Sequence, residues 1–204
     1  MKYLVSFGSI FLLFLHTAAL GSGIEEIETV AGFAARMVTT VQATTSIAEI
    51  KGTPDMMRMQ VMGGRTFSTM IARFDRNVVW LLAPTGRQYR EMGLDDMGAG
   101  VPHFFRKDLQ IERTKIGEGE VSGIPAIQYE AEIIGPDGRH YSGILWEAKE
   151  PLPLPLKWED RPNNLDVTWE GIVSQPIAVS LFEIPPGYMK VEEAGGIRSR
   201  SLPR

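Results

Sequence analysis

Cysteine is absent from all 204 residues. No disulfide can staple the fold and no thiolate can hold a metal, so stability has to come from burial. Histidine is scarce too, with three copies. His16 sits in the N-terminal apolar run, while His103 and His140 stand apart from each other, without an HxxxH spacing or a carboxylate pair at ligand distance. No G-x-S-x-G elbow, Walker-type loop or dinucleotide fingerprint occurs. Gly117-x-Gly119 and the glycines from Gly93 to Gly100 lack the strand-to-helix setting that phosphate loops need. Asp95-Asp96 is an acidic pair in a glycine-rich loop, where such side chains are normally solvated. The expectation is therefore a non-enzymatic protein with no cofactor and no metal. Excess charge of one sign is also missing. The formal charge is −4 and Lys and Arg are not clustered, which argues against nucleic acid as a partner.

Long apolar runs are missing as well. The longest, Tyr3 to Leu15, has 13 residues, short of the roughly 20 that span a bilayer as a helix. It follows Lys2 and precedes small residues at Thr17-Ala18-Ala19 and Gly21-Ser22-Gly23. That is the order of a secretory signal peptide, expected over residues 1–22 and cleaved between Ala19 and Gly23. Removing it leaves one domain's length of chain, roughly 180 residues, enough for a sizeable core. Beyond Val191 the chain is polar and glycine-rich, with Arg198, Arg200 and Arg204, and is expected to be a disordered tail over 192–204.

What is present is β-like. From Thr44 onward apolar residues recur at a period near two, over Thr44–Lys51, Met56–Met62, Thr66–Phe74, Val78–Ala83 and Gln88–Met92. Gly63-Gly64, Asp75-Arg76-Asn77 and Pro84-Thr85-Gly86 separate these runs and signal antiparallel hairpins. Arg73 and Asp75, on either side of Phe74, read as a local pair that fixes its turn. Leu94–Leu109 interrupts the series and reads as a loop with one or two helical turns. Strands resume at Ile111–Val121, Ala126–Ile134, Arg139–Ala148, Pro155–Glu159, Leu165–Val173 and Ala178–Glu183. Gly135-Pro136-Asp137-Gly138 and Pro162-Asn163-Asn164 mark turns, and Pro151, Pro153 and Pro155 mark an edge or entry segment. Ahead of all this, Ile27, Val30, Ala31, Ala34, Met37, Val38 and Val41 follow an i, i+3, i+4, i+7 spacing. With Glu25, Glu26 and Glu28 in a first turn, they predict an amphipathic helix over 24–43.

These pieces have a geometric consequence. Nine to eleven strands at about 4.8 Å spacing make a sheet some 45 Å wide, whereas one helix is about 10–12 Å across. The helix cannot cover a flat sheet of that size, so the sheet is expected to curl into a barrel or half-barrel around a hollow. Alternation gives several strands a dry side: Leu165, Val167, Trp169 and Val173 on one, and Ile127, Tyr129, Ala131 and Ile133 on another. Val78-Val79-Trp80-Leu81-Leu82 is apolar on both sides and belongs in the centre. Methionine is concentrated at Met37, Met56, Met57, Met59, Met62, Met70, Met92 and Met97, and suits a surface that adapts to varied apolar guests. Candidate lining residues are Met37, Met57, Met59, Val61, Met70, Trp80, Phe104, Phe105, Tyr129 and Trp169.

Several of these segments are similar to a known family. Met57-Arg58-Met59, Ile71-Ala72-Arg73-Phe74-Asp75, Val79-Trp80-Leu81-Leu82-Ala83-Pro84 and Gln88-Tyr89-Arg90-Glu91 resemble the LolA-like superfamily. So does the closing Leu181-Phe182-Glu183-Ile184-Pro185-Pro186-Gly187-Tyr188. The nearest part of that superfamily is its uncharacterised periplasmic branch, related to the outer-membrane lipoprotein carrier LolA. The resemblance implies an α+β, mostly antiparallel fold. In it a curved, incomplete β-barrel over residues 23–191 has its open side plugged by an N-terminal helix and a short loop or helix. It also implies a periplasmic location, or an extracellular one in a source without an outer membrane. The implied function is to carry or bind a lipid, a lipoprotein acyl chain or another hydrophobic ligand in an apolar cavity. The partners would be lipid or acylated protein, with transient membrane-surface contact. The alternative is an envelope sensor or assembly module that binds a protein through a sheet edge or the Phe104-Phe105 loop.

Overall fold

In the computed structural model, the residues described are 27–63, 67–96, 110–134, 138, 140–149 and 154–192. The sequence-predicted signal peptide, tail, Met97, His103, Phe104 and Phe105 lie outside them. The first departure from the sequence reading is at the start. Residues expected to form a helix are β1 (Thr29–Val41), a 13-residue strand. It runs antiparallel between β2 (Thr44–Gly52) and β11 (Leu165–Ala178). Phe33 and Ala35 are buried and Met37 half-buried on one side, while Ala34 and Val38 are half-covered on the other. A strand covered on both faces has apolar residues at both parities, and these also satisfy helical spacing. The hairpin turn decides the outcome. Gln42 and Ala43 both have positive φ, 46° and 70°, the backbone of a tight two-residue connection whose twist matches its strands.

The remaining strands are β3 (Met56–Val61), β4 (Thr69–Arg73), β5 (Val78–Ala83), β6 (Gln88–Gly93), β7 (Gln110–Val121), β8 (Ile124–Ile134), β9 (His140–Ala148), β10 (Pro155–Asp160) and β12 (Met189–Lys190). All twelve form one sheet in the order β12-β6-β5-β4-β3-β2-β1-β11-β10-β9-β8-β7, antiparallel except for the short β12–β6 pair. The sheet is curved and unclosed, with β12 and β7 as its two edges. Chain connectivity favours the curvature. Gly93 ends β6 near one edge, and Gln110 starts β7 at the other, ten strand positions away and at the opposite end of the strands. On a flat sheet those points would lie about 50 Å apart, against a reach of about 56–61 Å for the link stretched straight. Curling relieves that stretch.

The described residues include no α-helix: the N-terminal helix of the expected plug is strand β1, and most of its second part, the loop or helix at Leu94–Leu109, lies outside them. One apolar cluster covers the inner side, from Met57, Met70, Ala72 and Val79 through Phe33 and Trp169 to Leu145 and Ile133. The opposite, outer side is dry in two places. Ile71, Trp80, Leu82, Ile177 and Phe182 form one patch, and Val121, Ala126, Ala148 and Leu156 the other.

The first outer patch exists because the C-terminal segment folds over it. The expected strand Ala178–Glu183 is instead a 3-10 turn at Val179–Phe182, preceded by the end of β11. Its first N–H extends the β1 pairing by one position, and beyond that the segment leaves the ladder. Val179 N–H donates to Glu28 O at 2.9 Å, and Leu181 O accepts from Arg58 Nη1 at 3.0 Å. Arg73, 5% exposed at the end of β4, clamps the same segment. Its Nε and Nη2 donate to Asp75 at 2.9 and 2.7 Å, and its Nη1 to Glu183. The local Arg73–Asp75 pair read from the sequence is present, with a longer-range partner added.

That clamp sets a pH dependence. The Arg73 guanidinium, with help from Arg76, holds the Asp75 carboxyl below its ordinary range. A depressed acid stabilises the fold above its unfolded pKa and stops doing so as pH falls through its folded one. Thermal midpoints are therefore expected to drop as pH is lowered below about 4. Asp75→Asn should be less stable than wild type at pH 7 and lose less on acidification. Parallel midpoint curves for the two proteins would contradict the clamp.

Candidate functional site

The inner face is organised in rows that cross the strands. Register places Met92, Val79, Ala72, Met57, Gly52 and Phe33 side by side on β6, β5, β4, β3, β2 and β1. The next row, two residues along each strand, is Arg90, Leu81, Met70, Met59, Ile50 and Ala35. A third contains Val61, Ala48, Met37 and Trp169. Side chains two apart share a face, so Met37, Met57, Met59, Met70 and Met92 all lie on the same side of the sheet. Tyr129, Ala131 and Ile133 of β8 continue that side beyond β11, with Trp158 and Leu145 between.

Burial along these rows is graded. Phe33, Ala35, Ile50, Met57, Ala72 and Val79 are buried, whereas Met37, Met59, Val61 and Leu81 are half-exposed. Most of the half-buried residues lie nearer the turns at 42–43 and 84–87, although Ala48, Ala83 and Trp169 at that end are buried and Met92 at the other is half-buried. Leu165 and Val167 of β11, also half-exposed, lie at the end near those turns.

Seven of the ten residues picked out from the sequence meet on this face: Met37, Met57, Met59, Val61, Met70, Tyr129 and Trp169. Trp80 does not. It stands between Val79 and Leu81 and points to the outer patch, where its indole Nε1 donates to Glu91 Oε2 at 2.9 Å. Both faces of β5 are dry, so composition did not reveal which way the tryptophan turned. Met56 also belongs to the outer patch, and Met62 is exposed. Val173, expected beside Trp169, is 56% exposed. Gly171, at φ +58°, inserts an extra residue opposite Ala35 and reverses the alternation, so Ile172 takes the inner position.

The face also holds residues that sequence reasoning passed over. Leu81 and Trp158 lie in strands legible from the sequence, but the face each takes depends on its cross-strand neighbours. Glu147 is on the inner parity of β9, and burial pushes its carboxyl up despite Arg113 Nη2 at 3.1 Å. His140 sits at the start of β9 with Nδ1 2.5 Å from Glu132 Oε1, a local pair. Asp96 accepts the Gly93 N–H at 3.1 Å. No group of three or more metal-ligating side chains gathers among the described residues.

No family model matches the chain, and no curated protein matches it. Solved structures do. An uncharacterized conserved protein from Thermus thermophilus is 15% identical with a TM-score of 0.51, over 78% of this chain and 89% of that one. A LolA superfamily protein, NE2245 from Nitrosomonas europaea, is 7% identical with a TM-score of 0.42, over 75% and 90%. MucB in the Pseudomonas aeruginosa MucA/MucB complex is 13% identical with a TM-score of 0.43, over 75% of this chain and 55% of that one. At such identities the likeness is one of fold alone: a single large, curved, incomplete antiparallel barrel.

Proposed function

We propose that the chain is an exported, periplasmic binder or carrier of a hydrophobic ligand, a lipid or the acyl chains of a lipoprotein, and that it is not an enzyme. The observation that supports this reading is the graded inner face. A continuous set of Met, Leu, Val and aromatic side chains lines it, mostly buried, with Met37, Met59, Val61 and Leu81 half-buried toward one end of the strands. Scattered exposed apolar residues are ordinary, but half-buried methionines, Leu81 and Val61 set among buried apolar neighbours on a concave side are the form of a site for an apolar guest. Methionine's flexible, polarizable side chain lets one surface fit chains of different length and branching.

A protein partner is the second reading. β7 supports it, as a 12-residue edge strand with no neighbour on one side among the described residues. Strand addition there faces obstacles: a bulge leaves Ile116 without a register partner and 50% exposed, and Glu112, Arg113 and Lys115 charge the edge. The ligand reading is therefore preferred.

Native mass spectrometry and solvent extraction of protein purified from the envelope separate the two readings. Discrete added masses that extract as lipid are expected. Protein that is always empty, and that takes up no oleate when titrated with it, would overturn the carrier reading. A stoichiometric co-purifying polypeptide would replace it with the second.

A further inference from the structure

Arg90 is the one cation in the rows of the inner face on β1 to β6. It stands directly across from Leu81 and two residues from Met92 on the same side of β6. It is half-buried and forms no ion pair among the described residues, and its Nε is inaccessible to solvent with no hydrogen-bond partner. A buried N–H without a partner forfeits the hydration it had in water, so a structure that keeps one calls for a reason. The guanidinium is also held in place. Its Cζ lies 4.8 Å from the centre of the Phe67 ring, a stacking that orients the planar group and leaves its edge N–H groups to donate elsewhere. A pocket of about 490 Å³ opens beside it, lined by Arg90, Glu91, Met92, Asp96, Lys190, Val191 and Glu192.

The acids in that pocket are partly committed. Glu91 accepts from Lys190 Nζ at 2.6 Å and from Trp80 Nε1 at 2.9 Å, and Asp96 from the Gly93 N–H at 3.1 Å. The third acid, Glu192, acts on Lys190, and none of the three forms an ion pair with Arg90 among the described residues. Other arginines on the sheet are occupied: Arg73 by Asp75 and Glu183, Arg113 by Glu147, and Arg58 by the Leu181 carbonyl.

The row that Arg90 heads supplies the rest of the reasoning. From Arg90 it continues through Leu81, Met70, Met59, Ile50 and Ala35, an apolar row across five strand spacings, about 24 Å long at 4.8 Å each. In it Leu81 and Met59 are half-buried, and Met70, Ile50 and Ala35 are covered by the inner cluster that a tail would have to part. A positive, fork-shaped donor at one end of a greasy track matches one kind of molecule. We infer that Arg90 receives the anionic head of a single-chain amphiphile, a carboxylate or phosphate, whose tail lies along that track. This rests on the carrier reading and names the chemical class of its ligand. Guanidinium N–H groups donate in parallel to two oxygens of the head, the strong bidentate arrangement that a neutral head cannot accept.

Titration of the purified, delipidated protein with matched probes tests it: oleate, oleyl alcohol and acetate, each against wild type and Arg90→Met. Methionine keeps the length and apolar stem and removes the charge and donors. Wild type is expected to bind oleate about tenfold or more tightly than oleyl alcohol. Arg90→Met should bind the alcohol unchanged and lose the preference, and Arg90→Lys should keep part of it. Equal binding of oleate and alcohol by wild type would overturn the head-group assignment and leave the carrier reading standing. Acetate binding as tightly as oleate would also overturn it, by making Arg90 a plain anion site. Binding of none of the three would remove the carrier reading itself. Circular dichroism of the variant confirms that it is folded before its affinities are compared.

Discussion

Trp169→Ala is expected to cost the fold about 3–5 kcal/mol, the range for deleting a large buried aromatic. Trp169 is 1% exposed on β11, opposite Met37 of β1, and belongs to the inner cluster with Phe33, Ile50 and Leu145. β1–β11 is the join between the two arms of the sheet, β2 to β6 on one side and β10 to β7 on the other. A hole there removes contacts from both arms at once. The surrounding side chains are held by ladders on either side, so they cannot close the gap by moving inward. Urea unfolding at neutral pH gives the number. A loss under about 1 kcal/mol would mean that the arms hold together without this packing and that the inner cluster is two clusters. If the carrier reading is right, the same variant should bind bulkier apolar guests than wild type does.

The second large effect is expected on the other face. Phe182 is 0% exposed and packs against Ile71, Trp80, Leu82 and Ile177. It is the apolar anchor of a segment whose polar fastenings are Arg58 to Leu181 O and Arg73 to Glu183. Phe182→Ala should again cost about 3–5 kcal/mol in equilibrium unfolding. Removal should also free amides of β4 and β5 for hydrogen exchange, because it uncovers the outer side of both strands. Unchanged exchange in β4 and β5 would show that the segment lies on the sheet without protecting it. The two substitutions sit in different clusters on opposite faces, so their costs should add to within a few tenths of a kcal/mol.

The sequence showed the strands of this fold more readily than their surroundings. Val78–Ala83 was bounded to the residue, since Asn77 and Pro84 flank it with chemistry that a strand cannot continue through. β1 reads from the sequence as a helix because spacing alone cannot separate a helix from a strand with apolar residues at both parities. Its Phe33-Ala-Ala35 core offered no bulky alternation to break the tie. Ala178–Glu183 has the composition of a strand, and only the distant side chains of Arg58 and Arg73 show why it turns away. The inner site was legible as a concentration of methionines. The parity that excludes Trp80 and admits Arg90 was not, because it depends on which residue faces which across a hairpin. A one-residue insertion such as Gly171 changes that without disturbing the local pattern. A reading carried from hairpin to hairpin, with Leu81 set opposite Arg90, would have found the charge.

The two edges of the sheet have one further consequence. A closed barrel has its girth fixed by strand number and stagger, and can widen only by breaking a ladder. Here β12 and β7 end the sheet without joining each other, so the radius of the curl is set by soft contacts instead of by backbone hydrogen bonds. The molecule can loosen or tighten like a split ring while every strand keeps the neighbours it folded with, a freedom that would let a carrier take guests of different thickness.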